Sequence, residues 1–186
     1  MVIGIHDKTE EGNLVKAALA GDQAAFGEIV NRYKSMVART VKGMLGDKVF
    51  AEDIGQEVFV KLYYSLEGFR GEAKLSTYIQ KIAVNLTLNE IKRRKRFFSM
   101  FSHSEDEEAR EIDVADHDGE QRTDAKEIVE KALGKMEPKF RIVLVMRMLQ
   151  GYSTKETADI LDLPIGTVLS RLSRAQEQFR EIIEKL

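Results

Sequence analysis

The stretch from residue 165 to residue 180, "IGTVLSRLSRAQEQFR", places hydroxyl and guanidinium groups along one side of a predicted helix. Its apolar residues recur every three or four positions and cluster within about 80° of arc, which predicts one buried face. These apolar residues are Ile165, Val168, Leu172, Ala175 and Phe179. The remaining surface is formed by small, hydroxylated and basic residues, namely Gly166, Thr167, Ser170, Arg171, Ser173 and Arg174.

This outer surface has the chemistry of a nucleic-acid contact. Serine and threonine hydroxyls bond phosphates or base edges, and small residues let the backbone approach closely. Arginine can grip a phosphate or read guanine through two hydrogen bonds, which is worth roughly 1–3 kcal/mol of discrimination. An ordinary solvated face would instead be rich in glutamate and lysine. The sequence therefore predicts a helix that enters a groove of DNA.

The residues before this helix predict how it is positioned. Ser153 and Glu156 have the spacing of a capping box, so a helix is expected to begin at "STKETADIL". The tripeptide "DLP" at 162–164 predicts a turn, and Pro164 suits the start of the next helix. Two short helices joined by a tight turn predict a helix-turn-helix.

This helix-turn-helix resembles the promoter-reading domain of the extracytoplasmic-function sigma factors, group IV of the sigma-70 family. The family pattern is close to "G.S..EIA..L..P.GTV.SR..RA". The chain matches it at Gly151, Ser153, Glu156, Thr157-Ala158, Pro164, Gly166-Thr167-Val168, Ser170-Arg171 and Arg174-Ala175. The resemblance implies that the −35 element is read by Thr167, Ser170, Arg171, Ser173 and Arg174. Leu169 stands where the family usually has lysine or arginine, so one DNA contact is either missing or apolar.

A second constellation lies in "AEDIGQEVFVKLY", where Asp53, Gln56 and Glu57 share one helix face by their spacing. By themselves these residues predict no more than a solvated acidic edge. The stretch, however, resembles the core-polymerase-binding helix of the same family, typically "AEDL.QEVF...W". The resemblance implies that the three side chains dock on the coiled coil of the polymerase β′ clamp.

A third segment, "FRGEAKLSTYIQKIAVNLTLNEIKRRKR", resembles the part of the family that reads the −10 element and melts DNA, typically "F.G...F.TWL..IA.N...D..R". Phe69, Gly71, Thr77, Ile82-Ala83 and Asn85 match. Tyr78 replaces the usual tryptophan, and Leu75 replaces an aromatic residue. The resemblance implies DNA contacts from Lys74, Ser76, Tyr78, Lys81, Asn85, Asn89 and Arg93.

The physical basis expected for melting is capture of an unpaired base. Unstacking a base costs a few kcal/mol, whereas stacking on an aromatic or flat side chain returns about 1–3 kcal/mol. A pocket that holds such a base can therefore stabilise melted DNA without ATP. The basic run Lys92–Arg96 is either a solvated helix end or a phosphate patch, and we favour contact with the upstream backbone through Arg93.

The elements that carry these motifs predict an all-α fold of two small helical domains. The first, sigma region 2, is expected at 10–98 and the second, sigma region 4, at 124–186. Between them, residues 99–123 lack apolar periodicity and are predicted to form a flexible acidic linker. Residues 99–124 hold ten acidic and two basic residues, so the net charge of −2 conceals two mildly basic blocks on either side.

Other functional classes find little support in the sequence. The chain has no cysteine, and its three histidines, His6, His103 and His117, have no metal-ligand spacing, so neither a cofactor nor a metal is predicted. An enzyme would need a nucleophile elbow, a phosphate loop or paired buried carboxylates, and the sequence identifies none of these. A response-regulator activator shares the "GTV" pattern but would need a receiver half with alternating strands, whereas the N-terminal half is predicted to be helical. A sigma factor starts transcription on core polymerase, whereas an activator needs a holoenzyme.

Partners and location follow from the resemblance. It implies core RNA polymerase, through its β′ clamp and β flap, promoter DNA in double-stranded and melted form, and an anti-sigma factor that holds the protein inactive. No small-molecule ligand is expected. No membrane insertion is expected either, because no apolar run approaches the roughly 20 residues that a membrane-spanning helix needs. A cytoplasmic location in a bacterium is predicted, with recruitment to the membrane only through the anti-sigma factor.

Overall fold

The protein is described here by a computed structural model that covers residues 8–46, 48–101 and 124–186. Helices account for nearly all regular structure in these ranges, and no strand occurs in them. The elements, in order, are α1 (Lys8–Leu19), α2 (Gln23–Leu45), α3 (Lys48–Ser65), a 3-10 turn (Leu66–Gly68), α4 (Leu75–Phe101), α5 (Asp124–Lys135), α6 (Pro138–Leu144), a π-helical turn (Val145–Leu149), α7 (Thr154–Leu161) and α8 (Ile165–Glu184).

Helices α1–α4 form an N-terminal bundle around one apolar core. Ile29 and Val37 of α2, Val58 of α3 and Ile79 of α4 are fully or almost fully buried in it. Asp22 begins α2, because its Oδ1 accepts hydrogen bonds from the backbone N–H groups of the next turn at 2.9 and 3.1 Å. The bundle thereby fixes α3 and α4, the two helices that carry the predicted polymerase and −10 residues.

Helices α5–α8 form a C-terminal bundle that contains the helix-turn-helix. The capping box predicted from the sequence is confirmed: Ser153 Oγ accepts from Glu156 N at 3.1 Å, and Glu156 Oε2 accepts from Ser153 N at 3.0 Å. Asp162 ends α7 in the left-handed conformation, with φ of 53°, and Pro164 precedes α8. The turn thus directs α8 across the bundle with Val168 and Ala175 buried beneath it.

The two bundles pack against each other through a shared apolar cluster. Met44 of α2 and Val84 of α4 lie in the same buried cluster as the C-terminal residues Val143 and Val145. Gly43 lies inside α2 directly against Val145: a Cβ atom at Gly43 would stand 3.1 Å from Val145 Cγ1. Arg141 is buried and donates to the carbonyl oxygen of Met44 at 2.5 Å and to that of Met136 at 2.8 Å. It also donates to the carbonyl oxygen of Gly134, so it joins the end of α2 to the end of α5.

A ring of three hydrogen bonds also crosses the boundary between the bundles. Thr40 Oγ1 donates to Gln80 Oε1 at 2.9 Å, and Gln80 Nε2 donates to Gln150 Oε1 at 3.0 Å. Gln150 Nε2 closes the ring by donating to Thr40 Oγ1 at 2.5 Å. Tyr152 adds to it, since its hydroxyl accepts from Gln80 Nε2 at 3.1 Å. Gln80 is fully buried, so these partners satisfy polar groups that water cannot reach.

The predicted all-α architecture with two small domains is confirmed, but one boundary differs. Helix α4 ends at Phe101, so residues 99–101, which the sequence assigned to the linker, continue the helix. Nothing in "SMF" breaks a helix, because the segment has neither glycine nor proline. The rest of the predicted linker, residues 102–123, lies outside the described residues. So do His6, His103 and His117.

Candidate nucleic-acid and polymerase interfaces

Helix α8 brings the five predicted −35 residues onto one side of the C-terminal bundle. Ser170, Ser173 and Arg174 are exposed, while Thr167 and Arg171 are half-buried along the flank. Ser170 Oγ donates to Thr167 O at 3.0 Å, which fixes the orientation of its hydroxyl and leaves the oxygen lone pairs toward solvent. The exposed side therefore presents the hydroxyl groups of Ser170 and Ser173 beside the guanidinium groups of Arg171 and Arg174.

One residue of the predicted buried face lies elsewhere. The sequence placed Ile165 in the core, but its side chain is 50% exposed. Ile165 is the first residue of α8 and follows the exposed Pro164, so it lies beyond the edge of the core that covers Val168. With Leu169, one turn later and also exposed, it forms an apolar pair on the outside of the helix.

The predicted polymerase-binding residues lie together on α3. Asp53, Gln56 and Glu57 are all exposed, whereas Ile54 and Val58 on the other side of the helix are buried in the N-terminal core. The helix thus separates a packing face from an acidic and amide face. This face can form hydrogen bonds and ion pairs with a basic partner surface.

The predicted −10 segment forms a loop followed by one face of α4. Lys74 is exposed in the loop, Ser76 and Lys81 are half-buried, and Asn85 and Asn89 are exposed on successive turns. Amide and lysine side chains therefore follow a line along the outside of α4. Such a line can contact the edges of bases and the phosphates beside them.

Two apolar positions of this segment pack inward. Leu75 is almost completely buried in the N-terminal core. Tyr78 is half-buried: its hydroxyl donates to Ser65 O at 2.9 Å, and its ring lies 5.3 Å from the ring of Phe69 at a tilt of 54°. Tyr78 therefore forms part of the wall of the loop, with its hydroxyl already bonded, and does not project as a separate aromatic platform.

The basic run at the end of α4 is organised by a buried carboxylate that the sequence reading did not single out. Glu90 is only 7% exposed and accepts from Arg93 Nε at 2.7 Å and from Arg94 Nε at 2.9 Å. The hydrogen bonds from Arg93, followed by those from Arg94, lower the pKa of Glu90. Arg93 and Arg94 follow Glu90 by three and four residues, and this spacing is the sequence signal from which the ion pairs could have been predicted.

The two arginines that share Glu90 differ in what else they contact. The Arg94 guanidinium lies 3.9 Å above the ring of Phe50, so it joins α4 to α3. The Arg93 side chain is 72% exposed, and its ion pair with Glu90 holds the guanidinium near the helix surface. Arg93 is therefore presented to solvent in a fixed direction, while Arg94 has a structural position.

The structure also places the loop before α4 against the helix-turn-helix. A cleft between them is lined on one side by Lys74, Thr77 and Lys81 and on the other by carboxylates from α7 and its turn, Glu156, Asp159 and Asp162. Lys74 Nζ and Glu156 Oε1 are 3.7 Å apart. Sequence reasoning missed this proximity, because no local pattern joins positions more than 70 residues apart.

A final exposed group lies on α3. Tyr63 and Tyr64 project from the helix, with the Tyr63 ring edge-on to Phe26 at 5.2 Å and to Tyr64 at 5.5 Å. Both tyrosines lie outside the buried stripe of Ile54, Val58 and Leu62. Their exposure could have been predicted from this position in the sequence pattern. They add an aromatic surface to the helix that carries Asp53.

Two kinds of feature do not occur in the described ranges: a membrane-spanning helix and a group of metal-binding side chains. None of the helices described is long and apolar enough to cross a membrane. Over residues 8–46, 48–101 and 124–186, no group of three or more histidine, cysteine, aspartate or glutamate side chains could hold a metal ion.

Comparison with known proteins covers both bundles. Residues 29–97 match the family Sigma-70 region 2, and residues 126–179 match Sigma-70, region 4. The ECF RNA polymerase sigma factor SigW of Bacillus subtilis (strain 168) is 30% identical over 179 residues, which cover 92% of this chain and 96% of that protein. The ECF RNA polymerase sigma-E factor of Haemophilus influenzae is 33% identical over 187 residues, which cover 93% and 95% respectively.

Among solved structures, the sigma factor RpoE in complex with the anti-sigma factor NepR from Bartonella quintana has the same fold. Its TM-score is 0.69 at 21% identity, covering 86% of this chain and 96% of that one. The two matched regions occur in the order in which the bundles occur here, and the relatives extend over almost the whole chain. The chain therefore belongs to the extracytoplasmic-function sigma factors of the sigma-70 family, the RNA polymerase subunits that direct transcription initiation.

Proposed function

We propose that this sigma factor recognises the −35 element of its promoters through the exposed side of α8. The observation that carries the proposal is the grouping of Thr167, Ser170, Arg171, Ser173 and Arg174 on one helix side above a buried Val168 and Ala175. A helix of this width fits the major groove, where arginine bonds guanine and hydroxyl groups bond phosphates or base edges. Arg174 is exposed and is the arginine of this surface that is less covered by the core, since Arg171 is half-buried.

The −10 element is bound, in this proposal, by the loop before α4 and the exposed line along that helix. Lys74, Lys81 and Arg93 neutralise phosphates, and Ser76, Asn85 and Asn89 offer hydrogen bonds to an unpaired base. The half-buried Tyr78, tied to Ser65 O, serves as a fixed wall of the pocket. A pocket whose walls are already fixed loses little conformational entropy when it binds. More of the binding energy of a captured base is then left to offset the cost of unstacking it.

Core polymerase is held through Asp53, Gln56 and Glu57 on α3. Their exposure on the face opposite the core supports this role, and their charge suits a basic surface on the β′ clamp. Contact of the C-terminal bundle with the β flap completes the proposed assembly. The sigma factor contributes binding and DNA capture, and the polymerase contributes all bond-making chemistry.

Control by an anti-sigma factor is part of the same proposal. The solved relative RpoE from Bartonella quintana is in complex with the anti-sigma factor NepR. The exposed aromatic group of Tyr63 and Tyr64 and the acidic face of Asp53 are surfaces that an inhibitory partner could cover here. A partner on Asp53 would compete directly with polymerase.

The test is transcription by purified core polymerase with and without the full-length protein, read by sequencing the RNA 5′ ends. We expect defined start points that require the protein, each preceded by common −35 and −10 sequences. Arg174→Ala should weaken promoter binding about tenfold and relax the preference at one −35 position, consistent with one lost base contact. Unchanged affinity and unchanged preference in Arg174→Ala would remove Arg174 from the proposed interface.

A further inference from the structure

The outer surface of α8 carries two aliphatic side chains in its first half. Ile165 is 50% exposed and Leu169 is 53% exposed, although the helix has a well-defined core face beneath them. The other long aliphatic residues of α8, including Leu172 and Ile182, are partly covered by the C-terminal core. About half of each of these two side chains therefore remains open to solvent, and the pair forms an apolar surface that an outside partner can cover.

The position of Leu169 on the helix places it beside the residues proposed to read DNA. At 100° per residue, Leu169 lies about 40° from Ser173 and about 100° from Ser170 around the helix axis. Both serines are exposed, as is Arg174. Leu169 therefore forms one edge of the same surface, with the hydroxyl groups in the middle and Arg171 and Arg174 toward the opposite edge.

The charge around the pair favours a polyanion over an acidic or apolar protein partner. From Ile165 to Gln176 the helix has no aspartate or glutamate, and its first carboxylate is Glu177. Arg171 and Arg174 lie within the same stretch. A nucleic-acid groove is thus the occupant that both the basic and the apolar residues can contact together.

The major groove of DNA offers one apolar group, the C5-methyl group of thymine, and aliphatic side chains contact it in base readout. We propose that Leu169 packs against the methyl group of a thymine in the −35 element, and that Ile165 covers the outer side of the same contact. Leu169 is then a specificity-determining residue that selects thymine at one position. This inference rests on the proposed −35 function of α8.

The experiment removes the methyl group from the DNA and the leucine from the protein separately. Holoenzyme assembled from core polymerase and the full chain selects binders from a promoter library with a randomised −35 element. In the preferred duplex, each dT of that element is then replaced by dU, which lacks only the methyl group. We expect one replacement to weaken binding of the wild type about fourfold, the effect of one methyl-sized group leaving an apolar contact.

Two variants locate the reader of that methyl group. Leu169→Ala and Leu169→Gln should bind the dT duplex about three- to tenfold more weakly and should bind dT and dU equally. Leu149→Ala is the matched control, because Leu149 is 52% exposed but lies on the π-helical turn outside α8. It should retain the full preference for dT over dU. Equal helicity of the variants by circular dichroism checks that each is folded.

The outcomes separate the inference from the function on which it rests. If selection yields no −35 preference, the −35 function of α8 fails, and the inference falls with it. If a preference exists but no dT to dU replacement matters, or Leu169→Ala keeps the same dT to dU ratio, only the methyl contact is overturned. If Leu169→Ala instead weakens assembly with core polymerase while keeping that ratio, Leu169 contacts the polymerase and the inference is wrong.

Discussion

Gln80 and Gln150 share a hydrogen bond across the boundary between the two bundles, with Gln80 Nε2 donating to Gln150 Oε1 at 3.0 Å. Thr40 bonds both glutamines, so each of the three side chains satisfies the next. A buried polar ring of this kind fixes the relative position of α2, α4 and the segment after α6, because a small displacement breaks all three bonds together.

Replacing Gln80 by alanine should therefore destabilise the protein. The change removes the acceptor of the Thr40 hydroxyl and the donor to Gln150 Oε1 at a buried site, which costs about 1–3 kcal/mol. The free energy of unfolding in urea measures the effect. Gln176→Ala, at an exposed position of α8, is the control and should change that free energy little. Equal values for the two variants would show that the ring does not form in solution.

Gly27 and Gly43 offer a matched pair of substitutions within α2. Alanine at Gly27 meets no atom within 4 Å and should raise the free energy of unfolding by about 1 kcal/mol through helix propensity. Alanine at Gly43 would meet Val145 Cγ1 at 3.1 Å and Cγ2 at 3.2 Å, so the gain should be reduced or reversed. Urea unfolding of both variants measures the difference. Equal gains would argue against close packing of α2 on Val145.

The ion pairs of Glu90 predict a dependence of stability on pH. Because Arg93 and Arg94 lower its pKa in the folded state, Glu90 stabilises the fold above its ordinary pKa of about 4.3. This contribution should be lost as pH falls below that value toward the lower pKa of the folded state. The free energy of unfolding of the wild type, measured in urea, should exceed that of Glu90→Gln by about 1–3 kcal/mol at pH 7. This difference should narrow between pH 5 and pH 3.

The control for that prediction is Glu72→Gln, at an exposed position in the loop before α4. Its free energy of unfolding should follow that of the wild type at every pH. A gap between wild type and Glu90→Gln that stays constant with pH would mean that Glu90 acts through packing and not through its charge.

The acidic face of α3 predicts the strength of polymerase binding. The double variant Asp53→Asn, Glu57→Gln should bind core polymerase about three- to tenfold more weakly, because two exposed ion pairs are lost. The loss should shrink at high salt, where such pairs are screened. Fluorescence titration of labelled protein with core polymerase measures it. Glu67→Gln, exposed on the 3-10 turn, should bind as the wild type does; an equal loss there would indicate a general effect of charge.

Local features of the molecule could be predicted from the sequence because they depend on neighbours three or four residues apart. The capping box of Ser153 and Glu156 follows from spacing alone, as does the burial of Val168 and Ala175. Ile165 was predicted wrongly because periodicity continues a stripe beyond the end of the core. The structure, not the sequence, shows where that core stops.

Features that depend on tertiary contacts could not be predicted in this way. Thr40 and Gln150 are 110 positions apart, and each has a polar side chain that suits an exposed helix equally well. The Tyr78 hydroxyl is bonded to Ser65 O, a contact that no periodic pattern encodes. The polymerase and DNA roles of the exposed residues stay predictions, because exposure identifies an available surface and not its partner.

The shared apolar cluster has a consequence for how this sigma factor engages a promoter. Because the shared cluster joins the two bundles, a promoter whose −10 and −35 elements lie further apart than the joined bundles can reach is bound only when the bundles part. Parting them would wet Met44 and Val84, which are 0% and 3% exposed, at roughly 3–4 kcal/mol for the two side chains. If polymerase binds only the parted form, the closed form lowers the apparent affinity for polymerase by roughly two to three orders of magnitude, and any substitution that loosens the cluster would reduce this penalty.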